Sequence, residues 1–283
     1  ADVISSSYQQ AQLNMGIFSP QTVTISDLFA GAILPGLLLP LIYILYIKSL
    51  RIKSEVTTTN DITFNKNLNI YRSFLAPILL IVIVLGSIIF GVATPSEAAS
   101  LGVIGAIILS ISKNKLQITT IKIISLESIK LTSMVFLILV GATFFSLVFR
   151  GLEGEELIHS LLYYGPENKY LSLIITLGIM FLLGFILDFI EIIFIIIPLF
   201  GPVLFTYGFD PVWVAIMIAM VLQTSFLTPP FGFSLFYLRG VAPKEVSTQE
   251  IYKGVVPFVI IQIVAIIIVF LIPEIATTIP RII

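Results

Sequence analysis

Cysteine is absent from this chain, histidine occurs once, and charge is scarce, with 16 acidic and 15 basic residues among 283. Without cysteine there is no disulfide, no thiolate metal site and no thiol nucleophile. One histidine, His159, excludes multi-histidine metal centres and ordinary haem ligation. Soluble domains carry about 25% charged residues. Here the charged share is 11%, the hydrophobic share 58% and the mean hydropathy +1.10, which is the composition of an integral membrane protein. No phosphate-cradling Gly-x-x-x-x-Gly-Lys loop, Gly-x-Ser-x-Gly elbow or His-Glu-x-x-His helix occurs, so neither ATP-driven transport nor hydrolysis has support and no enzyme is expected. The net charge of −1 suggests no nucleic-acid partner. The chain opens at Ala1 without Met or a signal-like segment, so a processed or truncated piece is expected.

What is present is a series of apolar runs. Residues 1–26 are polar and rich in Ser and Gln, and Leu28–Tyr46 follows with Asp27 placed to cap its start. A polar stretch over 50–72 leads to Phe74–Ala93, which turns at Thr94-Pro95-Ser96-Glu97 into Ala98–Ile111. Thr at N-cap, Pro at N1 and Glu at N3 form a capping-box pattern, a structural device at a helix start. Residues 113–130 are polar and basic, Leu131–Phe149 is apolar, and Glu153, Glu155, Glu156 and Glu167 with His159 mark an acidic surface stretch. Tyr207 and Trp213 read as interfacial anchors.

Two segments break the simple pattern. The apolar run from Tyr170 to Phe205 would extend roughly 54 Å as one helix, far beyond the ~20 residues that cross a bilayer. It is expected to fold back as a re-entrant hairpin over 170–206, with Leu187-Asp188-Phe189-Ile190-Glu191 at its middle. Residues 212–240 are apolar but interrupted by Thr228, Pro229, Pro230 and Gly232. Consecutive prolines remove two backbone donors, and unwound backbone at membrane depth is tolerated only in protein or beside a polar cavity. In secondary transporters such breaks line ion and substrate sites. A final span is expected near 253–273.

With 48–72, 113–130 and 239–253 on the cytoplasmic side, only Arg150, Lys169 and Arg281 of the 15 basic residues lie outside, as the positive-inside rule prefers. That arrangement needs 170–206 to enter and leave on one side.

Several residues could carry chemistry. Asp188 and Glu191 share one face if the backbone is helical, and buried charge there is expensive. They read as a cation, proton or substrate site, as a solvated loop between two ordinary spans, or as acids capping a helix start. Gly184 would let backbone approach a bound ion closely. Gln223, Thr224, Ser225 and Thr228 place oxygens beside the break. These suit a hard cation such as sodium, or simply satisfy carbonyls freed by a kink.

The stretches Gly91-Val-Ala-Thr-Pro-Ser-Glu-Ala-Ala99, Leu183-Gly-Phe-Ile-Leu-Asp188, Phe209-Asp-Pro-Val-Trp213 and Leu227-Thr-Pro-Pro-Phe-Gly232, with Asp27–Gly36 before them, resemble the C-terminal half of the large membrane subunit of TRAP (tripartite ATP-independent periplasmic) transporters. Leu187–Ile192, Gln223–Phe226 and Phe236–Pro243 resemble the subgroup associated with mannitol and chloroaromatic compounds, members of which are tied to 2-oxo acids and lactate. The resemblance implies an all-α, multi-span, elevator-type secondary transporter of two inverted repeats, each with a re-entrant hairpin and a broken transmembrane helix. It implies a bacterial inner membrane, sodium as coupling ion and no other cofactor. The implied partners are a small four-helix membrane subunit, a periplasmic substrate-binding protein and a small organic anion. Carried over by residue, the cation site falls on Gly184, Ser225, Thr228 and the carbonyl of Phe231. Asp188 matches a family acid at the hairpin tip, and Glu191 is a subgroup feature.

On this reading residues 1–127 join an absent first repeat to the second, and 128–283 hold the second-repeat transport region. The chain is then a partial sequence, not expected to transport alone. The alternative is a proton-coupled transporter or antiporter of the wider ion-transporter superfamily, with Asp188 and Glu191 as a proton relay.

Overall fold

A computed structural model describes residues 1–50, 69–114, 116–162, 168–229, 233–243 and 246–282. Among them the regular structure is helical throughout, as the composition and the absence of period-2 patterning lead one to expect. The helices are α1 (Asp2–Asn14), α2 (Ile25–Ser49), α3 (Asn69–Ile89), α4 (Pro95–Ser112), α5 (Ile118–Gly151) and α6 (Gly154–Leu162). They continue as α7 (Lys169–Leu183), α8 (Phe189–Thr206), α9 (Pro211–Leu227), α10 (Phe233–Val241), α11 (Thr248–Leu271) and α12 (Glu274–Thr277). Five of these helices, α2, α4, α5, α8 and α11, are long and apolar enough to cross a membrane.

The chain divides into two compact units, one of residues 1–40 with 130–282 and one of 41–129. In the smaller unit α3 and α4 pack on each other, with Leu80 lying where a side chain on Gly105 would go. The capping box at α4 forms as the sequence suggests. Thr94 N and Oγ1 both donate to Glu97 Oε2 at 2.8 Å, and Glu97 N donates to Thr94 Oγ1 at 3.4 Å.

The larger unit is built around α9. That helix touches α1, α7, α10, α11 and α12, and Met217, Trp213 and Ser225 are buried along its length. Trp213 is 2% exposed and its indole N–H donates to Val269 O at 2.9 Å, so it is a core residue and not an interfacial anchor. An indole donor buried this deeply needs a partner, and α11 supplies it from the backbone. Tyr207 likewise donates its hydroxyl hydrogen to Leu162 O at 3.1 Å. Asp210 starts α9 by accepting from the N–H groups of Val212 and Trp213, with Pro211 at the first helical position. Gly208, at φ +77, makes the turn before it.

Two features depart from the expected outline. Within the polar segment 1–26, α1 is a helix packed along α8, with Ser5, Ser7 and Gln12 buried. Each of these finds a partner: Ser7 Oγ donates to Ile197 O, Ser5 Oγ accepts from Val23 N, and Gln12 Oε1 accepts from Gln21 N. Hydropathy cannot reveal such a helix, because hydrogen bonds rather than apolar side chains seat much of it. The other departure is α5, which begins at Ile118, so much of the basic stretch 113–130 is helix rather than loop. Along its apolar half Phe136, Leu137, Val140 and Phe144 are exposed, a surface for lipid or protein rather than for water.

The three basic residues placed outside by charge counting can be checked in part. Lys169 lies over the rings of Tyr170 and Phe209, and Arg281 is 3.5 Å from Asp210, so two of them share one end of the larger unit.

Close packing of α2 in the larger unit rests on Gly31. A Cβ there would lie 2.6 Å from Val212 Cγ1 and 2.9 Å from the Ala276 carbonyl, which as backbone cannot yield. Gly36, in the same helix, has nothing within 4 Å. Gly31→Ala is expected to cost about 1–3 kcal/mol through overpacking. Gly36→Ala is expected to be neutral or stabilising by about 0.5–1 kcal/mol. Thermal unfolding of the two variants in detergent measures the difference.

Candidate functional site

The apolar run 170–205 does break where Asp188 interrupts it. Here α7 ends at Leu183, the turn 184–188 follows, and α8 starts at Phe189. The turn is held by backbone bonds from Ile186 N to Leu183 O at 2.9 Å and from Leu187 N to Leu183 O at 2.8 Å. The two arms run antiparallel. Ser172, near the start of α7, and Tyr207, just after α8, both donate to the Leu162 carbonyl at the end of α6. The base of the hairpin is thereby tied at one point, and its turn lies at the other end.

Asp188 is the N-cap of α8, its Oδ1 accepting from Phe189 N at 2.9 Å, with φ −72 and ψ 154. Extended backbone and a short acid are the usual chemistry of that position. Glu191 sits in the first turn of the same helix, half-buried, where the helix dipole favours an acid.

The broken helix meets this turn. α9 ends at Leu227, and Thr228 leaves the helix with φ −85 and ψ 124. Pro229 and Pro230 have no N–H, so the carbonyls four residues back, on Ser225 and Phe226, take no helical bond from them. The hydroxyls nearby bond other carbonyls, further back along α9. Thr228 Oγ1 donates to Thr224 O at 2.7 Å, Thr224 Oγ1 to Met220 O at 2.7 Å, and Ser225 Oγ to Leu222 O at 2.8 Å. Thr228 N tightens the last turn by donating to Ser225 O at 3.1 Å. Each hydroxyl has spent its hydrogen on a carbonyl, and its remaining lone pairs can only accept. Such oxygens suit a cation better than an anion.

Of the residues singled out by sequence, Gly184 and Ser225 are brought into direct contact. Gly184 caps the C-terminus of α7, and a Cβ built on it would meet Ser225 Oγ and lie 2.8 Å from Ser225 Cβ. Thr224 and Thr228 are one turn apart on the same helix end and joined by a hydrogen bond, whereas Gln223 is exposed. Phe231 lies outside the described residues. A contact that the sequence did not suggest is the ring pair Phe189–Phe226, with centroids 6.0 Å apart and planes at 68°. The oxygens at the break are those of backbone and hydroxyls, with the Asp188 carboxylate at the far side of the turn.

Broken apolar helices recur in secondary transporters, where they line ion and substrate sites. The family described as the tripartite ATP-independent periplasmic transporter DctM component matches residues 13–275. The chain belongs to this family. Similar proteins include the uncharacterised protein YgiK of Salmonella typhimurium, 28% identical over 91% of this chain and 59% of that protein. The C4-dicarboxylate TRAP transporter large permease protein of Pseudomonas aeruginosa is 27% identical over 94% of this chain and 62% of its own length. The ectoine TRAP transporter large permease protein of Halomonas elongata is 27% identical over 89% and 59%. The chain therefore spans about six tenths of the length of each of these relatives.

Two expectations follow from the geometry. Asp188→Asn, which keeps a good N-cap, is expected to leave thermal stability unchanged, while Asp188→Ala costs about 1 kcal/mol. Gly184→Ala is expected to destabilise by about 1–3 kcal/mol through collision with Ser225, and adding Ser225→Gly should recover much of the loss. A double-mutant cycle on detergent-solubilised protein measures the coupling.

Proposed function

We propose that this chain is the C-terminal part of the large membrane subunit of a sodium-coupled, binding-protein-dependent secondary importer of small organic acids. It works in a bacterial inner membrane with a small membrane subunit of four helices and a periplasmic substrate-binding protein. The observation that carries the reading is the meeting of Gly184 with Ser225 where α9 is interrupted before Pro229. It sets the hairpin backbone at Gly184 beside the hydroxyl-bearing side chain of Ser225, and in an apolar surrounding lipid offers such oxygens no competing partner.

Sodium is a hard cation that takes oxygen ligands, and the oxygens here are of that kind. Gly184 lets the hairpin backbone approach; Ser225, Thr228 and Phe231 would supply oxygens from the broken helix. Thr224 Oγ1 bonds back to Met220 O, a side-chain bond of the kind that bends a helix, here one turn before the break. Asp188 fixes the start of α8 and so the direction in which the turn leaves it. The substrate class rests on the large permease relatives, one of which carries C4-dicarboxylates by its name. The narrower reading, 2-oxo acids or lactate, rests on Leu187–Ile192 and Gln223–Phe226. Gln223, exposed beside the break, is a candidate for the substrate path.

The test is uptake of labelled lactate or 2-oxo acid into proteoliposomes holding the full-length subunit, its small membrane partner and the cognate binding protein. Uptake is expected to need both a sodium gradient and the binding protein. In the same vesicles Thr228→Ala is expected to raise the half-saturating sodium concentration about tenfold, the loss of one charge-assisted contact of ~1.4 kcal/mol, with expression little changed. Uptake driven by a pH gradient without sodium would move the coupling to protons, and Asp188 and Glu191 would then be the residues to examine.

A further inference from the structure

The centre of the hairpin turn is open, although Phe185 beside it packs edge-on to Phe181 of α7 at 5.0 Å. Ile186, at its centre, is 76% exposed, and the bonds that shape the turn run back to the end of α7. What holds it against α9 comes from its two flanks. Gly184, on one side, receives the side chain of Ser225 into the space a Cβ would fill. Phe189, on the other side, sets its ring edge-on to Phe226 at 6.0 Å. Ser225 and Phe226 are neighbours in the last turn of α9, so two successive residues just before the break grip the two sides of one turn.

We propose that Phe189 and Phe226 are positioning residues, which clamp the hairpin turn onto the end of the broken helix and so assemble the oxygens contributed by both. The inference rests on the sodium-coupled reading above and adds to it. A cation that takes ligands from both elements binds only while they are together. Loosening the clamp therefore lowers apparent sodium affinity by reducing the competent population, without altering any ligand. Occupancy in turn favours the clamped form, because whatever binds one state preferentially shifts the equilibrium toward it. Neither ring touches the ion; each acts through the position of the turn.

The experiment uses the complete permease with its partner subunit and binding protein, and two readouts. The first is the half-saturating sodium concentration for uptake in Phe189→Leu, Phe226→Leu and the conservative Phe189→Tyr. The Leu variants are expected to need about two- to tenfold more sodium at little-changed maximal rate, the factor an aromatic pair carries, while Phe189→Tyr stays near the parent. The second is the rate at which a maleimide modifies an Ile186→Cys variant, measured against the parent permease. This stretch contains no native cysteine, so the added signal comes from position 186. Modification is expected to quicken several-fold when Phe189→Leu or Phe226→Leu is added, and to be slowed by sodium in the parent background more than in the Leu backgrounds. Unchanged labelling rates together with sodium requirements within twofold of the parent would overturn the clamp. Parent uptake that ignores sodium would instead overturn the sodium-coupled reading, and the labelling rates still decide whether the rings hold the turn.

Discussion

Backbone hydrogen bonding without water shapes this molecule more than any side-chain contact. In an apolar surrounding each N–H and C=O must find a partner inside the chain, and a helix solves this by itself. Single prolines disturb that solution only locally: α2 contains Pro35 and Pro40, α8 contains Pro198 and Pro202, and all remain continuous helices. The pair Pro229-Pro230 is different. Two successive donors vanish, and each proline pushes the residue before it away from helical backbone. Thr228, at ψ 124, is the visible result. The Thr228 hydroxyl bonds the Thr224 carbonyl that its own N–H has left, and the hairpin turn is packed against the place where the helix ends.

The same constraint explains where sequence reading succeeds. Prolines, glycines and hydroxyls at an apolar break have few structural solutions, so the break in α9, the turn around Asp188 and the cap at Thr94 could each be placed from residues alone. The choices left open there concerned use, not position. Asp188 is engaged as a cap, and the hydroxyls beside the break satisfy carbonyls, which leaves their oxygens able to accept a further partner.

Features that depend on partners distant in sequence were not legible. α1 is nearly neutral in hydropathy, and its polar side chains are buried only because Ile197, Val23 and Gln21 present matching groups. Trp213 has the look of an interfacial residue until Val269 O is placed beside its indole N–H. Phe189 and Phe226 lie among many phenylalanines in an apolar sequence, and nothing local marks those two rings as a pair. Helix boundaries failed for a milder reason: the first turns of α5 mix Lys122, Lys130, Ser and Thr with isoleucine, residues mostly of modest helix propensity, so the stretch reads as a loop.

One repetition in the structure has a practical meaning. The start of α2 reads Val23-Thr24-x-x-Asp27-Leu28-Phe29-x-Gly31, and the start of α11 reads Val246-Ser247-x-x-Glu250-Ile251-Tyr252-x-Gly254. Both begin with the same reciprocal bonds, Thr24 N to Asp27 Oδ2 at 2.8 Å in one and Ser247 N to Glu250 Oε2 at 2.7 Å in the other. Only one of the two glycines is crowded, for Gly254 has open space where Gly31 meets Val212 and Ala276. The chain thus contains its own control experiment: one local code written twice, in two tertiary settings, so that the energy of the code can be separated from that of its surroundings within a single molecule.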